Sequence, residues 1–448
     1  MNAGTAAGSG EAERDARVIN TRDTHIAPGE IAIGVIIGRT SEFFDFFVYA
    51  IASVLVFPAY CFPYVDRLTG TLYSFGIFAL AFVARPIGSL IFMAVDRNYG
   101  RGVKLTIALF VLGLSTVAVA FLPSYDSVGS ASWILLAAFR ILQGLALGGA
   151  WDGLASLLAM NAPANRRGWY AMVPQLGAPL GLIVASGLFA YFVLELSDVD
   201  FLGWGWRFPF FCAFAINVVA LFARLRLVST PDFTHLFETK DLQPSPVLPT
   251  LEKEGRNIII GAFAPLASFA LFHMVTVFPL SWITVFTHQQ VSHFLIIECV
   301  AAVFGIAAIV ASGYLADHVG RRSLLGVGAA VIAAFSGFAP QLLDAGDLGE
   351  IVYMVVGFTI LGLSFGQSSG VVASNFPSLS RYTGSAITSD VAWLFGAGFA
   401  PLAALWLAAH FGVIAAGAYL LSGAAATLIA LWINKALGTD RQEPVAAE

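Results

Sequence analysis

The chain has 448 residues, of which 58% are hydrophobic and 11% charged, with a mean hydropathy of +0.81. Soluble domains carry about 25% charged residues. A chain this poor in polar surface excludes an ordinary water-soluble enzyme and a basic nucleic-acid binder, and points to a polytopic membrane protein. The net charge of -5 says little, whereas its distribution along the chain says more. Cys61, Cys212 and Cys299 are too few and too far apart for a disulfide framework or a metal site.

Residues 1–28 are polar, carry Arg14, Arg17 and Arg22, and hold no apolar core, so they read as a disordered tail and not as a cleaved signal. Apolar runs of membrane-spanning length then recur at 31–57, 71–95, 104–123, 132–160, 168–194, 208–228, 257–286, 293–316, 323–342, 350–373, 383–408 and 411–434. The expected fold is all-α, with twelve transmembrane helices in two six-helix halves, 29–228 and 257–435. The connector 229–256, with Pro231, Pro244, Pro246 and Pro249 among charged residues, reads as a linker. Residues 436–448 form a second polar tail. With the N-terminus inside, the cytoplasmic segments hold nearly all the Arg and Lys, and the external loops hold only Arg67 and Arg207. Both termini are therefore expected in the cytoplasm.

The first span carries an unusual face. Arg39, Glu42, Asp45 and Tyr49 fall within roughly 120° of one side of a helix. Charges at membrane depth are costly and are kept for a partner, a cavity or a transport path. Asp45, the deeper acid, and Glu42 are candidates for proton coupling. An ion pair with Arg39 on the same face is the alternative. Arg140 lies inside the fourth span, where it can fork onto a substrate carboxylate or neutralise one of these acids. Asp152 sits too far along the same helix to pair with Arg140 and is expected at a cytoplasmic gate. His273, Glu298, Gln367, Asp390 and Trp393 are further polar or aromatic groups within spans, with ordinary interhelical bonding the simpler role for His273 and Glu298. Gly144 and Gly148 form a small-residue face suited to helix packing.

The halves repeat weakly. Pro163 to Arg167 matches Pro377 to Arg381, Gly177-Ala178-Pro179 matches the Gly396-to-Pro401 run, and Asp96 with Gly100-Arg101 matches Asp317 with Gly320-Arg321-Arg322. Two parallel six-helix repeats with a site between them are a known transporter plan.

At these residues the chain resembles the major facilitator superfamily, and within it the metabolite:proton symporters, which include permeases for shikimate, α-ketoglutarate, citrate and proline/betaine. Five stretches carry the resemblance: Glu42-Phe-Phe-Asp45-Phe, Ala84-Arg85-Pro86-Ile87-Gly88, Arg140-Ile-Leu-Gln143-Gly144 with Gly148-Gly149, Pro174 to Gly181, and Phe376-Pro377 to Gly384. It implies proton-coupled uptake of a small organic acid by alternating access in a bacterial inner membrane. Arg140, Arg39, Gln143, Gln175 and Tyr49 are then expected at the substrate. Asp96, Arg101, Asp152, Asp317, Arg321 and Arg322 are expected at the cytoplasmic gate. The partners implied are a small carboxylate or zwitterion, protons and the lipid bilayer, with a monomer as the working unit. No cofactor, metal or nucleic acid is expected, and no enzyme motif is present. An exporter of the same fold and a non-transporting solute sensor are the other readings.

The sequence also departs from the family pattern. Phe92 replaces a glycine and Gly102 a basic residue around the first gate loop, which is one residue longer at Asn98-Tyr99. Ala150, Met160 and Asn375 stand where the family has Glu, Arg39 where it has Asn, and Ser229-Thr230-Pro231 where it has Glu-Ser-Pro.

Overall fold

The computed structural model describes residues 28–150, 155, 158, 162–228, 244–287, 289–368 and 376–434. Among these, twelve long helices form the body of the molecule. They are α1 (Pro28–Leu55), α2 (Arg67–Tyr99), α3 (Arg101–Ala120), α4 (Ala131–Gly149), α5 (Arg167–Glu195), α6 (Gly205–Leu225), α7 (Leu266–Phe286), α8 (Val291–Val319), α9 (Arg321–Asp344), α10 (Gly346–Phe365), α11 (Ser380–Phe411) and α12 (Val413–Ile433). Eleven of them, α2 to α12, are long and apolar enough to cross a membrane. At 28 residues α1 has the length, and Arg39, Glu42 and Asp45 set it apart. No strand occurs among the described residues.

Helix ends follow local chemistry. Asp66 caps α2 by accepting from the Thr69 amide and hydroxyl, and these bonds hold its carboxyl below the usual range. Gly100 ends α2 at φ 86° and Gly320 ends α8 at φ 83°, and each leads at once into an arginine that opens the next helix. A left-handed backbone at both places explains the glycine in each copy of the repeat. The repeat extends to the breaks. Pro58 follows the end of α1 and Pro279 interrupts α7, while α5 is interrupted by a 3₁₀ turn at Val173–Leu176 and α11 carries a π turn at Leu394–Gly398. Prolines and small residues at these points free carbonyls that a regular helix would use.

Small residues set the closest crossings. A Cβ on Gly88, Gly144 or Gly148 would land in the facing backbone of α4 or α2, so these two helices touch backbone to backbone. Gly177 and Gly181 let α5 approach α1 at Arg39–Thr40 and Phe43–Phe44 in the same way. The halves α1–α6 and α7–α12 meet chiefly where α5 packs on α8 and α2 on α11. A helix at Val247–Phe263 precedes α7, from which it is separated by Ala264-Pro265.

Candidate functional site

The charged face of α1 and its aromatic face point in different directions. Phe43, Phe46 and Phe47 meet the second half, contacting Phe272, Phe365 and Trp393 at centroid distances of 5.6 to 6.5 Å. The acids turn instead toward α3 and α6. Glu42 is paired with Arg39 at 2.8 Å and with Arg224 of α6 at 2.6 Å. Arg39 thus forms the same-face pair that its spacing allows, and Arg224 adds a partner from 182 residues away. Asp45 has no cation in contact among the described residues. Its Oδ1 accepts from Thr116 Oγ1 at 2.5 Å and from Asn217 Nδ2 at 3.2 Å, and Ser41 donates to Asn217 Oδ1 at 2.8 Å.

This polar string runs on to Arg140. Gln143 Nε2 donates to Thr116 Oγ1 at 3.0 Å, and Gln143 Oε1 accepts from Arg140 Nη1 at 3.1 Å. Arg140 Nε donates to the Phe78 carbonyl at 3.2 Å, while Nη2 is buried without a partner. The guanidinium lies 4.0 Å from the Tyr49 ring centre and 4.7 Å from that of Phe78, and the Tyr49 hydroxyl is likewise unpartnered. Arg140 is 1% exposed and touches no carboxylate among the described residues. Its neighbours are neutral oxygens and aromatic faces, which stabilise a cation by less than an anion would. Asp45, Tyr49, Arg140 and Gln143 therefore share one region, but Arg140 reaches Asp45 only through Gln143 and Thr116. Gln175 lies elsewhere, donating across the halves to Ser368 Oγ at 3.2 Å.

The end of the bundle that gathers the arginines and lysines is latched by polar contacts between the halves. Asp317 accepts from the Gly168 amide at 2.6 Å and the Trp169 amide at 3.1 Å, so it caps the first turn of α5 from the opposite half. Gln367 Nε2 donates to the Gly168 carbonyl at 3.2 Å. Asp96 sits 3.0 Å from Lys104 Nζ and 4.0 Å from Arg101 Nε, and it accepts from the Tyr382 hydroxyl of α11 at 3.1 Å. Lys104, two residues beyond Gly102, supplies the basic group that Gly102 lacks and also donates to Tyr382 at 2.7 Å. Phe92 packs against Gly149, whose missing side chain leaves room for the larger residue. Arg322 bonds the carbonyls of Leu431 and Asn434, within its own half, and Arg321 is buried at the start of α9. Asp152 lies outside the described residues.

A third latch involves Arg85, which the sequence leaves open between a gate and a structural role, and whose partner it does not reveal. Arg85 of α2 pairs with Asp390 of α11 at 2.8 Å, and Ser89 donates to the same carboxylate. Nor could the sequence single out Thr116, Asn217 or Arg224, because partners on other helices depend on how each helix is rotated. A narrow apolar cavity also lies between the halves, lined by Phe47, Leu182, Phe272, Thr276, Phe358 and Phe365.

The Major Facilitator Superfamily profile matches residues 40–393. The inner membrane metabolite transport protein YhjE of Escherichia coli (strain K12) is 36% identical over 431 residues, covering 94% of this chain and 96% of its own. The shikimate transporter of the same strain is 28% identical over 390 residues, 85% of this chain and 88% of its own. A crystal structure of a D-xylose–proton symporter matches with a TM-score of 0.68 at 18% identity, over 89% of this chain and 96% of that one, a likeness of fold. The chain, a multi-pass membrane protein, belongs to the major facilitator superfamily, within its metabolite:proton symporter branch.

Proposed function

We propose that the protein carries a small organic acid across the bacterial inner membrane together with protons, by alternating access between halves 29–228 and 257–435. The observation that carries this reading is Arg140, a buried cation whose Nη2 has no partner and which touches no carboxylate among the described residues. A charge taken out of water is costly unless it is paired. A substrate carboxylate, met by Arg140 Nη2 and the Tyr49 hydroxyl, supplies that pairing when it enters. The relative's inner-membrane name, the shikimate transporter and the xylose–proton symporter fit this reading.

The proton is assigned to Asp45. A proton arriving there meets hydrogen-bond donors and breaks no ion pair, whereas on Glu42 it would have to disrupt two. Gln143 and Thr116 connect Asp45 to Arg140, so a change of charge at one end is felt at the other. Arg39 and Arg224 hold Glu42 in place beside it. The basic end faces the cytoplasm on this reading, with both termini there. Asp96, Arg101 and Asp317, with the buried Arg321 and the helix-holding Arg322, belong to its gate. Asp152 is placed there by sequence alone. One copy suffices for transport.

A panel of carboxylates, zwitterions and neutral sugars, read as thermal stabilisation of the purified protein, tests the substrate side. Carboxylates raise the melting temperature of the wild type, and Arg140→Gln abolishes the rise. Stabilisation by sugars or zwitterions alone, or one that survives Arg140→Gln, would overturn the carboxylate reading.

A further inference from the structure

His273 of α7 is fully buried, and neither of its ring nitrogens has a hydrogen-bond partner. Four aromatic rings enclose it: Phe272 at 5.3 Å, Phe46 at 5.4 Å, Phe78 at 5.7 Å and Phe82 at 6.2 Å between centroids. An imidazole always has a donor or an acceptor to satisfy, whatever its tautomer. Burying it among phenyl rings alone is unfavourable, and such groups are rare in folded proteins. Phe78 is the shared wall, since the Arg140 guanidinium lies 4.7 Å from the same ring. Three unsatisfied polar groups therefore surround one aromatic layer: Arg140 Nη2 and the Tyr49 hydroxyl from the first half, and His273 from the second.

We infer that His273 is the second half's contact to the substrate, and that the substrate is a ring-bearing acid with a hydroxyl or carbonyl group remote from its carboxylate. The inference rests on the reading of Arg140 as the carboxylate site. The carboxylate meets Arg140 and Tyr49, the flat body lies among Phe46, Phe78 and Phe82, and the remote oxygen bonds His273. A rigid aromatic wall favours a flat ring through offset stacking. A buried polar group that needs a partner discriminates against analogues lacking one. Such a ligand bridges the halves, so its binding is linked to their closure. On this inference a short aliphatic acid, which can satisfy Arg140 alone, is the poorer fit.

Matched pairs of probes test this. Benzoate is compared with 3-hydroxybenzoate and 4-hydroxybenzoate, and butyrate with 3-hydroxybutyrate, by thermal shift on the full-length wild type, His273→Phe and His273→Asn. The wild type responds to a hydroxybenzoate at about tenfold lower concentration than to benzoate, and aromatic acids precede aliphatic ones. In His273→Phe the gap within the aromatic pair closes. In His273→Asn, which keeps a donor and an acceptor, part of the gap returns, and this variant carries the test if the phenylalanine variant fails to fold. A wild type with no gap, or a gap unchanged in both variants, overturns the role of His273. Preference for the aliphatic pair overturns the ring. If acids bind and depend on Arg140 but show no gap, only this inference falls. If no acid binds, the reading beneath it falls as well.

Discussion

Replacing Asp390 with Asn tests whether the buried latch between α2 and α11 holds the basic end shut. The substitution keeps the side-chain shape and leaves Arg85 facing a neutral amide, with Ser89 still in place. Asp390 is 3% exposed and the Arg85 side chain 14%, so neither charge can be resolvated while the halves stay closed. Breaking a buried pair by removing one partner costs roughly 3–5 kcal/mol. Water reaches Arg85 once the halves part, so most of that cost falls on the closed arrangement. At about 1.4 kcal/mol per factor of ten, the closed-to-open ratio drops by two powers of ten or more. Nitroxide labels on Val103→Cys and Val319→Cys report the separation, since both positions are exposed and lie at the basic ends of opposite halves. Cys61, Cys212 and Cys299 are first replaced, as they are free thiols. Pulsed distance measurements on Asp390→Asn then show a longer, open population absent or minor in the parent. Arg85→Leu with Asp390→Leu, which removes both charges together, recovers much of the closed population. A parental distance distribution in Asp390→Asn, or a double variant as open as the single, would refute the latch.

Other substitutions probe separate parts of the account. Asp317→Ala removes the carboxylate that accepts from the Gly168 and Trp169 amides and opens the same labelled distance, at a cost of about 1.5–3 kcal/mol for a charge-assisted contact. Gly148→Ala forces α2 and α4 apart and lowers the melting temperature by the equivalent of about 1–3 kcal/mol, while Gly76→Ala, where a Cβ meets nothing within 4 Å, has no such effect. Gly320→Ala places a side chain at φ 83° and costs about 1–2 kcal/mol, read as a drop in thermal stability although the space around it is open.

Much of the fold could be read from the chain. Span lengths, the pairing of Gly100-Arg101 with Gly320-Arg321, and the gathering of basic residues at alternate loops all follow from local chemistry. The Arg39–Glu42 pair was legible because both partners lie on one helix at a spacing of three. Its continuation to Arg224 was not, since a contact 182 residues away depends on the rotation of α6. The same limit hid the string from Asp45 through Thr116 and Gln143 to Arg140. It also concealed the division of α1 into an acidic face turned toward α3 and α6 and a phenylalanine face turned toward the other half. His273 looked like an ordinary interhelical hydrogen-bonding group, which is the common state of a buried histidine. Only its surroundings, four rings and no partner, set it apart. Departures from the family pattern proved local too: Lys104 serves where Gly102 cannot, and Gly149 accommodates Phe92.

The central claim is that acid uptake is driven by protons passing through Asp45. Purified protein in liposomes, with an alkaline lumen and an acidic exterior, is given a radiolabelled acid that stabilises it in the thermal assay. Wild type accumulates the acid above its external concentration, and a protonophore collapses the accumulation. Asp45→Asn still exchanges labelled for unlabelled acid but no longer accumulates it. Accumulation that ignores the pH gradient, or that persists in Asp45→Asn, would contradict the account.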